Sequence, residues 1–202
     1  MLGSDIAIRY ALRDLDTIRR ALSLFQGRTA CVQAGACLGV FPQYLSQVFK
    51  TVYTFEPDFK LFKKAQENAP QDNIRWFNAA IGCKRMLVGT SDRRRDGTNN
   101  PTHEGLTHVV EGAGAIPILK IDDLDLPVCE LICLDLEGYE MQALKGSCAT
   151  IERCKPVLVV DINKQVRHSG LTEDQLRNFI CSKGYEMRFR SHSDEVFTPC
   201  KK

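Results

Sequence analysis

The sequence has no apolar run approaching the ~20 residues that a membrane-spanning helix needs, which argues against an integral membrane protein. It has no Cys-x-x-Cys pair. Cys129 and Cys133 are spaced as Cys-x3-Cys, and no second pair completes a zinc site. An excess of charge of either sign is missing too: 27 Lys and Arg against 25 Asp and Glu leave +2. Nothing in that balance calls for nucleic acid; the one dense run, Arg93-Arg94-Arg95, is too short for a footprint and reads as a solvated loop, with a contact to an anionic substrate the alternative. No internal repeat and no low-complexity linker interrupts the chain. The dinucleotide fingerprint Gly-x-Gly-x-x-Gly is absent as well: Gly35-Ala36-Cys37-Leu38-Gly39 lacks the middle glycine.

What is present is an ordinary globular composition, 44% hydrophobic and 26% charged over 202 residues. We expect one domain, residues 1–202, with residues 1–28 forming a helix packed on a sheet. The opening stretch MLGSDIAIRYALRDL carries charges where a signal peptide has its apolar block. This reads as a cytoplasmic protein with no membrane partner. The nine cysteines are odd in number and mostly set in apolar runs, as Cys31, Cys133 and Cys181 are. They read as reduced, buried small hydrophobes.

Helical steps of three and four connect Ile8, Leu12, Leu15, Ile18, Leu22 and Phe25. After Gly27, strands and helices alternate. TACVQ, TVYTF, IRWFN, LICLD and VLVVDI read as strands. Pro42–Phe49, Asp58–Asn68, Tyr139–Ala149 and Thr172–Lys183 read as helices. YEMRFR and EVFTPC, separated by SHSD, read as a terminal β-hairpin. Short strands at Met86–Val88, Thr107–Val110 and Ile118–Ile121 flank a polar segment, Ser91–Gly105. Its length and His103 mark it as a cover and acceptor-binding loop. Alternating strands and helices predict an α/β fold with a parallel sheet covered on both faces.

Such sheets bind ligands beyond the carboxyl ends of their strands. Five tips lie there. Gly35 and Gly39 allow a sharp strand-to-helix turn, and a nucleoside's amino-acid tail can lie against it. Glu56, about twenty residues on, is placed to take ribose hydroxyls. Asn78, Ala79 and Ala80 offer a flat surface for a base. Asp135 and Glu137 follow a fully apolar strand, where carboxylates are costly unless paired or used. Asp161 and Asn163 end the next strand; with Asp135 their oxygens could hold one hard cation. No metal is favoured, and Mg2+ is the weaker alternative.

CVQAGACLGVFPQYL, VYTFEPD, NAAIG, ILKIDDL, LICLDLEGYEMQALKG and KPVLVVDIN fall in an order that resembles the FkbM-type methyltransferases, class I enzymes that use S-adenosylmethionine. The resemblance covers Thr29 to Asn163, and Asp-x-Glu-Gly-Tyr-Glu and Phe-Glu-Pro are its most specific parts. It implies a Rossmann-like sheet of about seven strands in the order 3-2-1-4-5-7-6, the seventh antiparallel. It also implies roles. Gln33, Gly35, Ala36 and Gly39 would meet the methionine tail, Glu56 and Pro57 the ribose, and Asn78, Ala79 and Ala80 the adenine. Asp135 and Glu137 would face the sulfonium and the acceptor. Two positions depart from the pattern. Gln33 stands where an acid usually holds the cofactor's ammonium group, and Asp161 where the strand commonly ends in Glu.

The function expected is methyl transfer from S-adenosylmethionine to a hydroxyl of a sugar or small molecule. A methyltransferase-fold binding module that has lost turnover is the alternative, kept open by Gln33. A nicotinamide-dependent oxidoreductase is disfavoured by the missing glycine and the terminal hairpin. Transfer of a labelled methyl group separates enzyme from module.

Overall fold

The computed structural model describes residues 3–91, 108–112 and 114–200. Residues 92–107, with Arg93–Arg95 and His103, lie outside the described residues, as do the side chains of residues 3–10. In chain order the elements are α1 (Gly3–Leu22), β1 (Ala30–Ala34), α2 (Val40–Ser46), β2 (Thr51–Phe55), α3 (Phe59–Asn68), β3 (Ile74–Phe77), β4 (Ala80–Ile81), β5 (Leu87–Ser91), β6 (His108–Glu111) and β7 (Ile116–Leu119). There follow a 3-10 turn (Ile121–Leu124), β8 (Leu131–Leu134), α4 (Glu140–Lys145), α5 (Cys148–Cys154), β9 (Val157–Asp161), a second 3-10 turn (Lys164–Ser169), α6 (Glu173–Ser182), β10 (Tyr185–Ser191) and β11 (Asp194–Pro199).

Seven strands form the main sheet, ordered β3-β2-β1-β8-β9-β11-β10. Counted along the chain by that sheet's own members, the order is the expected 3-2-1-4-5-7-6. β1 pairs in parallel with β2 and β8, and β8 with β9, while β11 runs antiparallel to β9 and β10. Strands β1, β8 and β9 are buried along their whole length, as central strands covered on both faces must be. The two-residue period then divides their side chains. Val32, Ile132, Leu134, Leu158 and Val160 face one core, shared with Leu144 of α4, Ile151 of α5 and Leu176 of α6. Cys31, Leu131, Cys133, Val157 and Val159 face the other, shared with Ile18 and Leu22 of α1 and Leu45 of α2.

The helices follow their sequence signals with local corrections. Asp58 caps α3, its carboxylate accepting from the amides of Lys60 and Leu61. Thr172 and Gln175 form a capping box at the start of α6. α1 packs on α2, β9 and β11, but Leu12 of its expected apolar stripe is 54% exposed. Cys181 is exposed on α6, whereas Cys31, Cys129 and Cys133 are buried. The single helix expected over Tyr139–Ala149 is two helices, α4 and α5. Gly146 lies between them, and its backbone packs so closely on that of Gly82 that a Cβ would stand 2.0 Å from the Gly82 carbonyl oxygen.

A second sheet, ordered β4-β7-β5-β6, has four strands. Val88 and Ile118 pack at its centre with Ala80, and Val109 and Tyr139 pack against them. Its members β5, β6 and β7 were legible as short strands; their assembly with the two residues of β4 was not.

Candidate active site

The parallel strands β1, β2, β8 and β9 bring their carboxyl ends to one edge, and the expected tips gather there. The turn after β1 is the tightest. Gly35 and Ala36 both donate their amides to the Phe55 carbonyl, at 3.0 and 3.1 Å. Gly35 has φ 89°, and a Cβ there would stand 1.9 Å from the carbonyl oxygen of Asp135. Gly39 has φ 86°, and a Cβ there would stand 2.8 Å from the Ala65 carbonyl oxygen of α3. What comes close to these glycines is first the chain's own backbone. Gly35 also lines the crevice between the β1, β2 and β8 ends.

Glu56 stands in that crevice, 4% exposed. Its carboxylate pins two tips together, accepting from the Cys37 amide at 2.8 Å and the Asp58 amide at 2.9 Å. Burial raises its pKa to about 7, and the Asp58 and Cys37 amides restrain that rise. Pro57, Ala79 and Ala80 line the same crevice. Asn78 does not: its amide nitrogen ties down the Glu56 and Pro57 carbonyls, at 2.9 and 3.0 Å. Gln33 is fully buried. Its amide donates to the Gly35 carbonyl at 2.9 Å, and its amide oxygen accepts from the Thr54 hydroxyl at 2.5 Å. Gln33 therefore shapes the turn from beneath. Ala36 is buried as well.

The loop after β8 is folded around Glu140. One oxygen of this buried carboxylate accepts from the amides of Leu136 and Gly138, at 2.9 and 3.1 Å. Glu137, between them, is held at φ 53°, a left-handed conformation that non-glycine residues rarely adopt. Its Oε2 has no hydrogen-bond partner. Burial, then the charges of Asp161 and Glu140, push Glu137 up to about 8. Burial, then the charge of Asp161, raises Asp135 well above the usual carboxylate range. Glu140, desolvated against its two amides, rises to about 7.

Asp194 joins these carboxylates, and the sequence reading missed it. It sits directly across from Asp161 in the β11–β9 ladder. Burial, then Asp161, pushes it to about 7. Tyr139 and Glu111 were missed too. The Tyr139 hydroxyl donates to Glu111 Oε1 at 2.8 Å, joining the loop after β8 to β6. Tyr139 and Val109 line both the crevice, about 40 Å³, and a neighbouring cavity of about 450 Å³ bordered by Glu111, Glu137, Gln142 and Ser169. No signal in the sequence places β6 against Tyr139. Among the described residues, no group of three or more His, Cys, Asp or Glu side chains is arranged to hold a metal ion.

A sequence model of the methyltransferase FkbM domain matches residues 33–187, which include every tip described above. The chain belongs to the FkbM methyltransferase family. The solved structures agree on the fold, which is that of the class I methyltransferases. The FkbM methyltransferase of Methylobacillus flagellatus KT superposes with a TM-score of 0.59 at 19% identity, over 88% of this chain and 45% of that one. The present chain thus spans less than half of that protein's length. The N-methyltransferase NodS of Bradyrhizobium japonicum WM9, in complex with S-adenosylhomocysteine, gives 0.50 at 13% identity over 92% and 83% of the two chains. The magnesium protoporphyrin IX methyltransferase of Synechocystis PCC 6803, with bound S-adenosylmethionine, gives 0.50 at 13% over 95% and 80%. No curated protein matches the chain in sequence. No helix among the described residues is long and apolar enough to cross a membrane.

Proposed function

We propose that this FkbM-family chain transfers the methyl group of S-adenosylmethionine to a hydroxyl oxygen of a sugar or small molecule. The observation that carries the reading is the meeting of Gly35, Glu56 and Asp135 in one crevice at the ends of β1, β2 and β8, with Glu137 two residues beyond Asp135. The donor set suits this cofactor. Among the described residues, neither the crevice nor the neighbouring cavity is lined by Lys or Arg, and the orphaned Oε2 of Glu137 seeks a cation or a proton. Space sets a condition. The crevice is far below the ~300 Å³ of a small-ligand site, so a nucleoside enters as Tyr139 and Val109 yield and the crevice joins the larger cavity.

In this reading Glu56 and Pro57 meet the ribose, Ala79 and Ala80 the adenine, and Gly35 the methionine tail. Asn78 and Gln33 act behind them, holding the Glu56–Pro57 backbone and the Gly35 turn. S-adenosylmethionine supplies a methyl group already activated by its sulfonium. The acceptor lies in the larger cavity, where Glu137 takes the hydroxyl proton as the oxygen–methyl bond forms. A carboxylate with a pKa near 8 is a stronger base than an ordinary one and is matched to the working pH. Asp135 and Glu56 hold donor and acceptor in line, and the protein's largest contribution is that alignment.

The second reading, a binding module without turnover, rests on Gln33, whose amide is committed to Thr54 and Gly35 and brings no charge to the cofactor's ammonium group. Incubation with methyl-labelled S-adenosylmethionine and a panel of hydroxylated sugars and small aglycones decides between them. Label in an ether product that is lost in Glu137→Gln supports the enzyme. Saturable binding of S-adenosylmethionine with no label transferred to any acceptor supports the module.

A further inference from the structure

Gln142, in the first turn of α4, lines the larger cavity, and its side-chain amide is held from behind. The Cys83 thiol donates to Gln142 Oε1 at 3.0 Å. Cys83 is fixed in turn by its backbone. The Gly82 amide donates to the Leu119 carbonyl of β7 at 3.0 Å. A Cβ on Gly146 would stand 2.0 Å from the Gly82 carbonyl oxygen and 3.3 Å from Cys83 Cα, so the Gly82–Cys83 segment is pressed against the junction of α4 and α5. A thiol hydrogen needs an oxygen, and that need sets which way the amide faces. Oε1 turns to Cys83, and the two N–H groups of Nε2 have no partner among the described residues.

Other polar side chains of the same wall have already given their hydrogens away. The Tyr139 hydroxyl donates to Glu111, and the Ser169 hydroxyl donates to the Val166 carbonyl at 2.7 Å. Glu111, Tyr139 and Ser169 therefore offer a ligand oxygen lone pairs, while Gln142 offers N–H groups. Glu137 Oε2, buried without a partner, is left for the reacting hydroxyl. A hydroxyl group both donates and accepts. A molecule with several of them satisfies Gln142 and the oxygens at once. A molecule with one cannot: once that hydroxyl faces Glu137, the Gln142 N–H groups are cut off from water and left unpaired.

We propose that Gln142, oriented by Cys83, is an acceptor-binding residue that requires a second oxygen on the acceptor, so that the site takes diols and polyols over lone hydroxyls. This rests on the reading of the larger cavity as the acceptor site and narrows the class of acceptor. Gln142 binds an oxygen other than the one that receives the methyl group. Cys83 is a positioning residue and acts only through Gln142.

Initial rates of transfer from methyl-labelled S-adenosylmethionine test this at pH 8.5. The acceptors are cyclitols and methyl pyranosides, each beside its monodeoxy counterparts, with cyclohexanol as the lone hydroxyl. In the wild-type protein, loss of the second oxygen should lower kcat/KM at least about tenfold. Gln142→Leu should raise KM for the polyol at least about tenfold, change kcat less, and treat polyol and deoxy counterpart alike. Cys83→Ala should raise the same KM about two- to fivefold, and Cys83→Ser, whose hydroxyl can donate to Oε1, should restore it. In a Gln142→Leu background Cys83→Ala should add nothing, whereas a merely structural role for Cys83 would persist. The wild-type comparison and the Cys83 pair stand without Gln142→Leu should that variant fail to fold. Equal kcat/KM of the wild-type protein for polyols and cyclohexanol would overturn the proposal and leave methyl transfer standing. Label on none of the acceptors would overturn both.

Discussion

The backbone of Gly35 lies against the carbonyl of Asp135, so close that a Cβ on Gly35 would stand 1.9 Å from that oxygen. The turn after β1 and the end of β8 are thus one unit, and the glycine is required by the chain itself before any ligand arrives. Gly35→Ala must both adopt a left-handed backbone, at ~1–2 kcal/mol, and push two strand ends apart. We expect a loss of at least about 3 kcal/mol in urea unfolding, a large effect for a single substitution. A loss below about 1 kcal/mol would mean that the two strand ends part easily.

Glu140 is the acceptor on which the Asp135–Tyr139 loop is wound. Glu140→Ala strands the amides of Leu136 and Gly138, each at ~1–3 kcal/mol. The melting temperature should fall by roughly 4–24 °C for a chain of this size. Glu140→Gln keeps an oxygen in place and should recover most of that loss. Equal damage from both variants would show that the charge, rather than the two hydrogen bonds, holds the loop.

Stability should fall as the pH rises. Glu56 and Glu140, at about 7, and Glu137, at about 8, lie above the ordinary value of 4.5, and Asp194, at about 7, lies above 3.8. In that interval the folded state holds protons that the unfolded state has released. The linkage sign is therefore negative from about pH 4 to about pH 8. Thermal unfolding of the ligand-free protein should give a higher melting temperature at about pH 4 than at about pH 5, and a further decline of several degrees by about pH 8. A melting temperature that climbs from pH 5 to pH 8 would contradict the burial of these four groups.

The Tyr139–Glu111 hydrogen bond spans the two sheets beside the wall shared by both cavities. Tyr139→Phe keeps the ring and removes a bond of ~0.5–1.5 kcal/mol. In stopped-flow measurements S-adenosylhomocysteine should associate about two- to tenfold faster with this variant. An unchanged rate would place the moving part elsewhere.

Much of this architecture was legible because its signals are local. TVYTF and LICLD are short apolar runs ended by acid and turn residues, and Thr172 marks the start of the helix that runs to Lys183 in the sequence reading. The parts that were not legible depend on contacts between distant residues. Helices α4 and α5 share one apolar period through Met141, Leu144 and Ile151, and the break between them falls at Gly146, which packs on Gly82, far back in the chain. Asp194 reads as a turn residue until the ladder sets it opposite Asp161. Gln33 reads as a ligand contact until Thr54 takes its amide oxygen from the neighbouring strand. At the strand ends, Glu56, Pro57 and Asp135 were expected at tips by position, and the structure brings them to one crevice. The second sheet that brings Glu111 to Tyr139 was not expected, since β4 is only two residues long.

The central claim is that the crevice at Glu56 is an S-adenosylmethionine site. The most direct measurement is a thermal melt with S-adenosylhomocysteine or NADH, each at millimolar concentration. A ligand at a hundred times its Kd contributes ~2.7 kcal/mol, so S-adenosylhomocysteine should raise the melting temperature by roughly 5–11 °C and NADH should leave it unchanged. No shift with S-adenosylhomocysteine, or an equal shift with NADH, would contradict the account.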